Sequence, residues 1–156
     1  MKKRIQKINS DEISLQRQVY KNVDIVTLEN IALIIAAQVE KTSVVLLYGD
    51  LGTGKTTFAA HFIRALIGER NEQITSPTFN LVHVYDGPSC SIWHFDLYRL
   101  KKSQEIYELG LEDALTFGIT LIEWPEIVEQ ILPPDAIKIY FSFGDKDDLR
   151  NIEVVK

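Results

Sequence analysis

Sulfur-containing residues are almost absent from this sequence. Its 156 residues include one cysteine, Cys90, and one methionine, Met1. A single cysteine cannot form an internal disulfide, which excludes a disulfide-stapled secreted scaffold and favours a reducing compartment. Long apolar runs are also missing, since no stretch approaches the roughly 18 apolar residues of a membrane-spanning helix. We therefore expect a cytoplasmic protein with no membrane segment.

The first part of the chain lacks the hydrophobic periodicity that predicts helices and strands. Residues 1–8 are basic, but polar residues follow where a signal peptide would need an apolar run, so we expect no export. A length of 156 residues is usual for one domain. We predict an N-terminal extension of unknown role over residues 1–21 and a single domain over residues 22–156.

Positive charge is scarce in the second half of the chain. The sequence has 17 Lys and Arg against 22 Asp and Glu, and an acidic protein of this kind is not expected to wrap nucleic acid directly. No Lys or Arg lies between Lys102 and Lys138, whereas that stretch contains eight carboxylates. The acidic stretch is either a solvated face or a surface for a basic partner.

Strand-like and helix-like segments alternate along the chain. The uninterrupted apolar run Val44–Tyr48 is typical of a strand buried on both faces of a parallel sheet. The other predicted strands cover residues 22–26, 78–85, 91–95, 119–122, 137–143 and 152–155. The predicted helical segments begin at Thr27, Lys55, Ser103 and Glu126. Two pairs of these strands are spaced as antiparallel hairpins, so we predict an α/β sandwich with a parallel centre and antiparallel additions.

A phosphate-binding motif follows the apolar run. Gly49-Asp-Leu-Gly-Thr-Gly-Lys-Thr56 matches the Walker A pattern G-x-x-x-x-G-K-[ST], with a predicted strand before it and a predicted helix after it. Its glycines allow backbone N–H groups to turn toward phosphate oxygens, and the helix start adds a positive dipole end. The Lys55 ammonium would reach the β- and γ-phosphates, and the Thr56 hydroxyl would take a Mg²⁺ position. The predicted ATP-binding residues are Asp50, Leu51, Gly52, Thr53, Gly54, Lys55, Thr56 and Thr57. With this motif the fold class becomes a P-loop NTPase-like three-layer sandwich.

Two carboxylates end later predicted strands, and such strand ends often supply the second metal-side ligand of a P-loop site. Asp96 and Glu123 are the candidates. One could hold Mg²⁺ through water while the other orients the attacking water, or each could cap a helix or pair with a cation. Thr78, in the segment Ser76-Pro-Thr-Phe79, is placed like residues that sense a γ-phosphate, although a simple turn before a strand has the same composition.

Two motifs of other nucleotide enzymes are missing. The sequence contains no Asn-Lys-x-Asp tetrapeptide, which guanine-specific enzymes usually carry, so adenine is favoured. It also lacks an arginine-rich lid, because Arg70, Arg99 and Arg150 are far apart in sequence. ATP hydrolysis or ATP-gated binding is therefore favoured over phosphoryl transfer to a metabolite. A phosphotransferase and a module that uses ATP only as a structural ligand remain the alternatives.

Three further residues near these motifs have open interpretations. Arg99 either pairs with Asp96 or contacts phosphate, and the ion pair is the expected outcome. Trp124 is either a core residue or a stacking surface for adenine or a partner. His94 is expected to be an ordinary sheet residue, with a catalytic role as the less favoured alternative.

Several segments together resemble one family, the TsaE (YjeE) ATPases of bacterial tRNA threonylcarbamoyladenosine synthesis. The segments, in order, are Leu47-Tyr-Gly-Asp-Leu-Gly-Thr-Gly-Lys-Thr-Thr-Phe58, Thr75-Ser-Pro-Thr-Phe-Asn-Leu-Val82, His94-Phe-Asp-Leu-Tyr-Arg-Leu100, Glu108-Leu-Gly-Leu-Glu-Asp113, Leu121-Ile-Glu-Trp-Pro-Glu126 and Leu132-Pro-Pro-Asp135. A P-loop alone would be unspecific, but this combination at these separations is specific, and it extends from about Asn22 to the end of the sequence.

The resemblance implies a small Mg²⁺-dependent ATPase with little activity alone. It implies nucleotide-gated association with a TsaB–TsaD heterodimer, in which TsaD modifies the tRNA adenosine, so that this chain would meet tRNA only indirectly. It further implies that Lys55, Thr78, Asp96 and Glu123 serve hydrolysis, with Thr56, Asp96 and Glu123 at the metal. We expect a monomer or weak nucleotide-dependent self-association.

Overall fold

The computed structural model describes residues 17–156, and these residues form a seven-stranded mixed sheet with helices on both faces. The strands are β1 (Arg17–Val23), β2 (Val44–Tyr48), β3 (Val82–Asp86), β4 (Ser91–Asp96), β5 (Ile119–Glu123), β6 (Ile137–Phe143) and β7 (Arg150–Val155). The helices are α1 (Ile25–Ala36), α2 (Lys55–Ile67), α3 (Glu105–Glu108) and α4 (Leu111–Phe117), with two 3₁₀ turns at Pro125–Ile127 and Glu129–Ile131. Across the sheet the strand order is β1-β7-β6-β2-β5-β4-β3.

The centre of the sheet is parallel and its outer parts are antiparallel. Strand β2 pairs in parallel with both β5 and β6, and β5 pairs in parallel with β4. The pairs β3–β4, β6–β7 and β1–β7 are antiparallel. All five residues of β2 and all five of β5 are buried, as expected of strands that are covered on both faces. The predicted fold class is confirmed.

Alternate residues of the central strands lie in two separate hydrophobic cores, because successive side chains of a strand point to opposite faces. Val45 and Leu47 of β2 face α1 and α2, in a core that also contains Phe58 and Phe62. Leu46 of β2 faces the other way, toward α3, α4 and the 3₁₀ turns. The sheet is therefore the middle of three layers. Helix α2, which begins at the end of the Walker A loop, packs against one face of it.

The first described strand lies earlier than predicted. We expected a strand at residues 22–26, but β1 covers Arg17–Val23 and pairs with β7. Residues 17–21, which the prediction placed in the extension, are therefore part of the sheet, while residues 1–16 lie outside the described part of the chain. The regular alternation of β1 is broken by a register shift before Val23 and by the positive φ of 53° at Asn22, which explains why the sequence pattern is unclear there.

Helix α1 also starts earlier than predicted. The expected N-cap was Thr27, but the cap is Asp24, whose carboxylate accepts a hydrogen bond from the Thr27 N–H at 2.8 Å. Aspartate is among the favoured N-cap residues because it satisfies such a free N–H. Ile25 and Val26, which look strand-like in sequence, are the exposed first residues of the helix.

Two predicted helical segments are shorter than expected. The segment that opens at Ser103 is divided into α3 and α4, because Gly110 between them has a left-handed φ of 91°. The segment 126–132 forms two 3₁₀ turns instead of an α-helix. Its last residue, Leu132, precedes Pro133 and is extended, with φ −90° and ψ 155°, as expected because the residue before a proline is disfavoured in the α region. Neither change moves the central strands.

No helix within residues 17–156 combines the length and hydrophobicity needed to cross a membrane.

The core beneath α2 gives a direct test of this packing. Phe62 is fully buried in it, so Phe62→Ala is expected to lower the free energy of unfolding by about 3–5 kcal/mol through lost apolar burial and cavity formation. The same truncation at the exposed Phe117 is expected to change it by less than about 0.5 kcal/mol. Urea unfolding of both variants measures the difference. Equal losses would contradict the core described here.

Candidate functional site

The Walker A loop connects the end of β2 to the start of α2. Gly49, Gly52 and Gly54 have positive φ angles of 143°, 80° and 100°, a region that glycine enters without a steric penalty. Gly54 is the N-cap of α2 and no side chain caps this helix start. The first N–H groups of a helix have no intrahelical acceptor, so an uncapped start of this kind is suited to bind an anion.

Lys55 carries a cation into this loop. Its residue surface is only 5% exposed, and its Nζ donates hydrogen bonds to the carbonyl oxygens of Gly49 at 2.6 Å and Asp50 at 3.0 Å. The ammonium also lies 4.0 Å from the centre of the Trp124 ring. Burial lowers the pKa of Lys55, and the nearby Glu123 carboxylate opposes that shift. A buried cation in such surroundings is favoured by an additional negative charge.

The first carboxylate lies beside the start of α2. Glu123, at the end of β5, is 1% exposed. Its Oε2 accepts a hydrogen bond from the Thr56 hydroxyl at 2.9 Å, and its Oε1 lies 2.8 Å from the His94 Nε2. Both oxygens of this carboxylate are therefore held, one from the helix and one from the neighbouring strand.

The second carboxylate anchors a loop. Asp96 ends β4, is 4% exposed, and is the direct partner of Glu123 in the sheet. Its Oδ2 accepts hydrogen bonds from the Ser76 hydroxyl at 2.7 Å and the Thr78 hydroxyl at 3.1 Å. Its Oδ1 accepts one from the Tyr98 backbone N–H at 3.1 Å. Asp96 thus ties the segment of residues 76–79 to the sheet edge.

Aromatic and arginine side chains surround the carboxylates. Trp124 has a left-handed φ of 57° and its ring centre lies 4.8 Å from that of Tyr98. The Arg99 guanidinium lies 4.5 Å from the centre of the exposed Phe79 ring. The expected ion pair between Arg99 and Asp96 is not formed. The Asp96 oxygens accept hydrogen bonds from the donors described above, and the Arg99 guanidinium stacks on the exposed Phe79 ring instead.

A cavity of about 320 Å³ connects these groups. It is lined by Leu51, Gly52, Gly54, Lys55, Thr56, Thr57, Ser76, Thr78, Asp96, Tyr98, Glu123, Trp124 and Arg150. A larger groove, of about 690 Å³, lies between α1 and α2 and contains none of these residues.

Most of the predicted site residues are brought together in this cavity. Asp50 and Thr53 are the exceptions, because they shape the loop instead: the Thr53 hydroxyl donates to the Asp50 carbonyl at 2.7 Å and Thr53 is buried. Sequence reasoning missed Ser76, although its position two residues before Thr78 was a usable signal. It also missed Arg150, which donates to the Gly52 carbonyl at 3.1 Å from a distant strand, with no local signal in the sequence.

The chemistry of the donors suits a magnesium nucleotide. Thr56, Glu123 and Asp96 present hydroxyl and carboxylate oxygens, the ligand type that Mg²⁺ prefers. Among residues 17–156, no group of three or more His, Cys, Asp or Glu side chains could hold a metal ion by itself. A Mg²⁺ ion here would therefore combine few protein oxygens with those of a phosphate ligand, which is how Mg²⁺ is usually bound at such sites.

Comparison with known proteins identifies a single family. The family model "Threonylcarbamoyl adenosine biosynthesis protein TsaE" matches residues 24–152. The sequence is 49% identical over 119 residues to a tRNA threonylcarbamoyladenosine biosynthesis protein TsaE of Rickettsia bellii, covering 76% of this chain and 82% of that protein. It is 34% identical over 119 residues to the protein of the same description from Bacillus subtilis, covering 76% and 73%.

The fold has a similar solved relative. The crystal structure of Bacillus subtilis YdiB superposes with a TM-score of 0.73 at 27% sequence identity, covering 89% of this chain and 84% of that one. The similarity in fold therefore covers most of the chain.

Two glycines of the Walker A loop allow the cost of backbone strain to be measured apart from the cost of a steric clash. A Cβ on Gly49 would lie 2.5 Å from the Phe141 carbonyl oxygen, whereas a Cβ on Gly52 would meet no atom within 4 Å. Gly52→Ala is therefore expected to destabilise the fold by about 1–2 kcal/mol from its positive φ alone, and Gly49→Ala by clearly more. Urea unfolding of the two variants gives the comparison. A Gly49→Ala loss no larger than that of Gly52→Ala would contradict the close approach of β6 to the loop.

Proposed function

The chain belongs to the TsaE family, and we propose that it serves tRNA threonylcarbamoyladenosine biosynthesis as a Mg²⁺-dependent ATPase gated by partner proteins. The observation that carries this proposal is the convergence of an uncapped helix start, the buried Lys55 ammonium and two buried carboxylates on one cavity. A triphosphate satisfies all of them together, because its oxygens accept from the N–H groups, neutralise Lys55 and share a cation with the carboxylates.

The phosphates of ATP bind to residues 50–57 in this proposal. The free N–H groups at the start of α2 and the Lys55 ammonium hold the β- and γ-phosphates. Lys55 then exchanges its carbonyl acceptors on Gly49 and Asp50 for phosphate oxygens of higher charge. A phosphate oxygen carries negative charge and so adds Coulomb attraction that a neutral carbonyl lacks, so this exchange favours binding.

Thr56, Glu123 and Asp96 hold the metal in this proposal. Glu123 and the Thr56 hydroxyl lie 2.9 Å apart, and Asp96, the partner of Glu123 in the sheet, would supply a further oxygen to the metal, directly or through water. When bound, Mg²⁺ neutralises charge that develops on the phosphate oxygens. The Thr78 hydroxyl, already bonded to Asp96, is placed to report the γ-phosphate to the segment of residues 76–79.

The proposed reaction is hydrolysis of ATP to ADP and phosphate. A water oxygen attacks the γ-phosphorus, the bond from that phosphorus to the bridging oxygen breaks, and the water proton passes to a carboxylate or to solvent. Phosphoryl transfer in P-loop sites depends on positioning and electrostatic stabilisation. In this proposal the buried carboxylates, held by fixed hydrogen bonds, position the reacting groups. A partner protein raises the rate of hydrolysis, which is low for this chain alone.

A TsaB–TsaD heterodimer is the partner in this proposal, and tRNA is reached only through it. Exposed carboxylates of α3 and α4 support a charged docking surface: Glu108, Glu112 and Asp113 are exposed, and none of them forms an ion pair within residues 17–156. Charges that are free in this way are available to a basic surface. Self-association of this chain, if it occurs, is weak and depends on nucleotide.

Phosphate release from Mg-ATP tests the proposal, with the chain alone and with a TsaB–TsaD pair added. We expect slow release by the chain alone and strong stimulation by the pair. Phosphate found on an acceptor instead of in solution would favour a phosphotransferase. Nucleotide-dependent docking without any turnover would favour a module that uses ATP only as a structural ligand.

Lys55→Ala is expected to weaken ATP binding without weakening the fold. Loss of a charged hydrogen bond costs about 1.5–3 kcal/mol, so the Kd for ATP should rise by at least about tenfold. Burial lowers the pKa of Lys55 below its unfolded value, so the charged side chain disfavours folding below its folded-state pKa. This cost offsets part of the stability lost with its hydrogen bonds, and the Tm should change little. Calorimetric titration and thermal unfolding measure both, with the exposed Lys102→Ala as control. ATP affinity equal to the wild type would contradict the assignment.

Charge reversal tests the docking surface. A double variant, Glu108→Lys with Glu112→Lys, is expected to slow association with the TsaB–TsaD pair, and the effect should shrink at high salt. The matched control reverses the exposed Glu69 and Glu72, which makes the same change in net charge elsewhere. Association rates measured at two salt concentrations decide the matter. If both double variants behave alike, the acidic stretch is only a solvated face.

A further inference from the structure

A histidine that the proposed reaction does not use lies directly behind Glu123. His94 is 0% exposed, and its Nε2 lies 2.8 Å from the Glu123 Oε1. Its other ring nitrogen, Nδ1, is buried and has no hydrogen-bond partner in the described part of the chain. The imidazole therefore has one polar contact, and that contact is with a carboxylate of the candidate site.

The sheet register makes this contact specific. Asp96 is the direct partner of Glu123 in the parallel pairing of β4 and β5. His94 precedes Asp96 by two residues, and residues two apart in a strand point to the same face. His94 and Glu123 consequently lie diagonally on one face of two adjacent strands, close enough for the ring to reach the carboxylate.

The surroundings of the ring determine where its proton lies. A neutral imidazole has one N–H donor and one acceptor nitrogen. With the proton on Nε2, the donor faces a carboxylate and only an acceptor lone pair on Nδ1 is left unsatisfied. With the proton on Nδ1, a buried donor would have no partner and an acceptor would face a carboxylate, which is unfavourable on both counts. The geometry therefore requires the Nε2–H form when the ring is neutral.

We propose that His94 is a positioning residue, whose Nε2–H fixes the Glu123 carboxylate so that Oε2 faces Thr56. This inference rests on the proposed function, since it assigns His94 a part in orienting the carboxylate of that site. Glu123 has two oxygens, and each has one donor: His94 at Oε1 and Thr56 at Oε2. Without the His94 donor, only the Thr56 hydroxyl restrains the carboxylate, so the direction of Oε2 is less well defined.

If His94 has only an ordinary core role, an aliphatic replacement is expected to leave kcat unchanged. A buried polar ring costs free energy unless it is hydrogen-bonded, and an aliphatic side chain of similar size would fill the same space without that cost. Thr120 supplies the matched case: it is also 0% exposed, and its hydroxyl has no partner among the described residues. Thr120→Val removes a buried polar group of the neighbouring strand without changing its shape.

Kinetics of three variants test the proposal with the TsaB–TsaD pair present. His94→Leu is expected to lower kcat about 10- to 100-fold, the usual cost of losing an orienting partner of a metal-site ligand, while the Kd for ATP stays near that of the wild type. His94→Gln, whose side-chain N–H₂ can replace the Nε2 donor, should lie between His94→Leu and wild type. Thr120→Val should retain the wild-type kcat. Thermal unfolding of each variant confirms that it is folded.

Equal loss of kcat in His94→Gln and His94→Leu, or no loss in either, would overturn the proposal. A parallel fall in His94→Leu and Thr120→Val would assign the effect to the core instead of to Glu123. A rise in the Kd for ATP that accounts for the whole defect would show that His94 acts on binding and not on orientation.

A second readout does not depend on turnover. Nitrogen-15 NMR of the histidine rings should show a proton on Nε2 of His94, and Glu123→Gln should shift that resonance. The Nδ1–H form, or a resonance that ignores Glu123→Gln, would overturn the proposal. If the wild type releases no phosphate even with the pair, the proposed function fails, and the NMR result alone decides whether His94 holds Glu123.

Discussion

Parallel pairing of three strands is the constraint on which the site depends. Because β2, β5 and β4 run in the same direction, their carboxyl ends lie at one edge of the sheet. The register then fixes the details: Glu123 is the partner of both Leu47 and Asp96. The Walker A loop that follows β2 is thereby placed beside two carboxylates that are distant from it in sequence. Antiparallel pairing at either position would send at least one carboxylate to the opposite edge.

Three charged side chains are buried at this edge of the sheet, and their burial costs free energy of folding. Lys55, Asp96 and Glu123 are each at most 5% exposed, and unpaired charges in such surroundings are strongly disfavoured. Lys55 donates hydrogen bonds to backbone carbonyls, and the two carboxylates accept hydrogen bonds from hydroxyl groups and a backbone N–H. For Lys55 the compensation is incomplete, because burial still lowers its pKa. A residue whose charged form is disfavoured in the folded protein has more to gain from a negatively charged ligand, so the same burial that costs stability favours binding of phosphate.

The parts of the structure that could be predicted from sequence are those set by local patterns. The apolar runs of β2 and β5 and the glycine spacing of the loop are contiguous, and they predicted the parallel centre and the position of Lys55. The edge strand β1 was misplaced because its register shift and the positive φ at Asn22 disturb the alternation. Arg150 and His94 reach the site from positions 98 and 29 residues away from their partners. Contacts of that kind arise from sheet order and register, and no local pattern encodes them.

The hydrogen bonds of Asp96 link the interior of the site to its surface. Both hydroxyls of Ser76 and Thr78 donate to the same oxygen, Oδ2, and the next residue along the chain is Phe79, whose side chain is exposed under the Arg99 guanidinium. A cation that binds Oδ2 would displace both donors, whose hydroxyl oxygens lie 2.7 Å from each other. The hydroxyls would then need new acceptors, and under the proposed function the phosphate oxygens that share the cation would provide them. Under the proposed function, the position of the exposed segment would depend on what Asp96 binds, and a partner at the surface would distinguish the nucleotide states of the site through that segment.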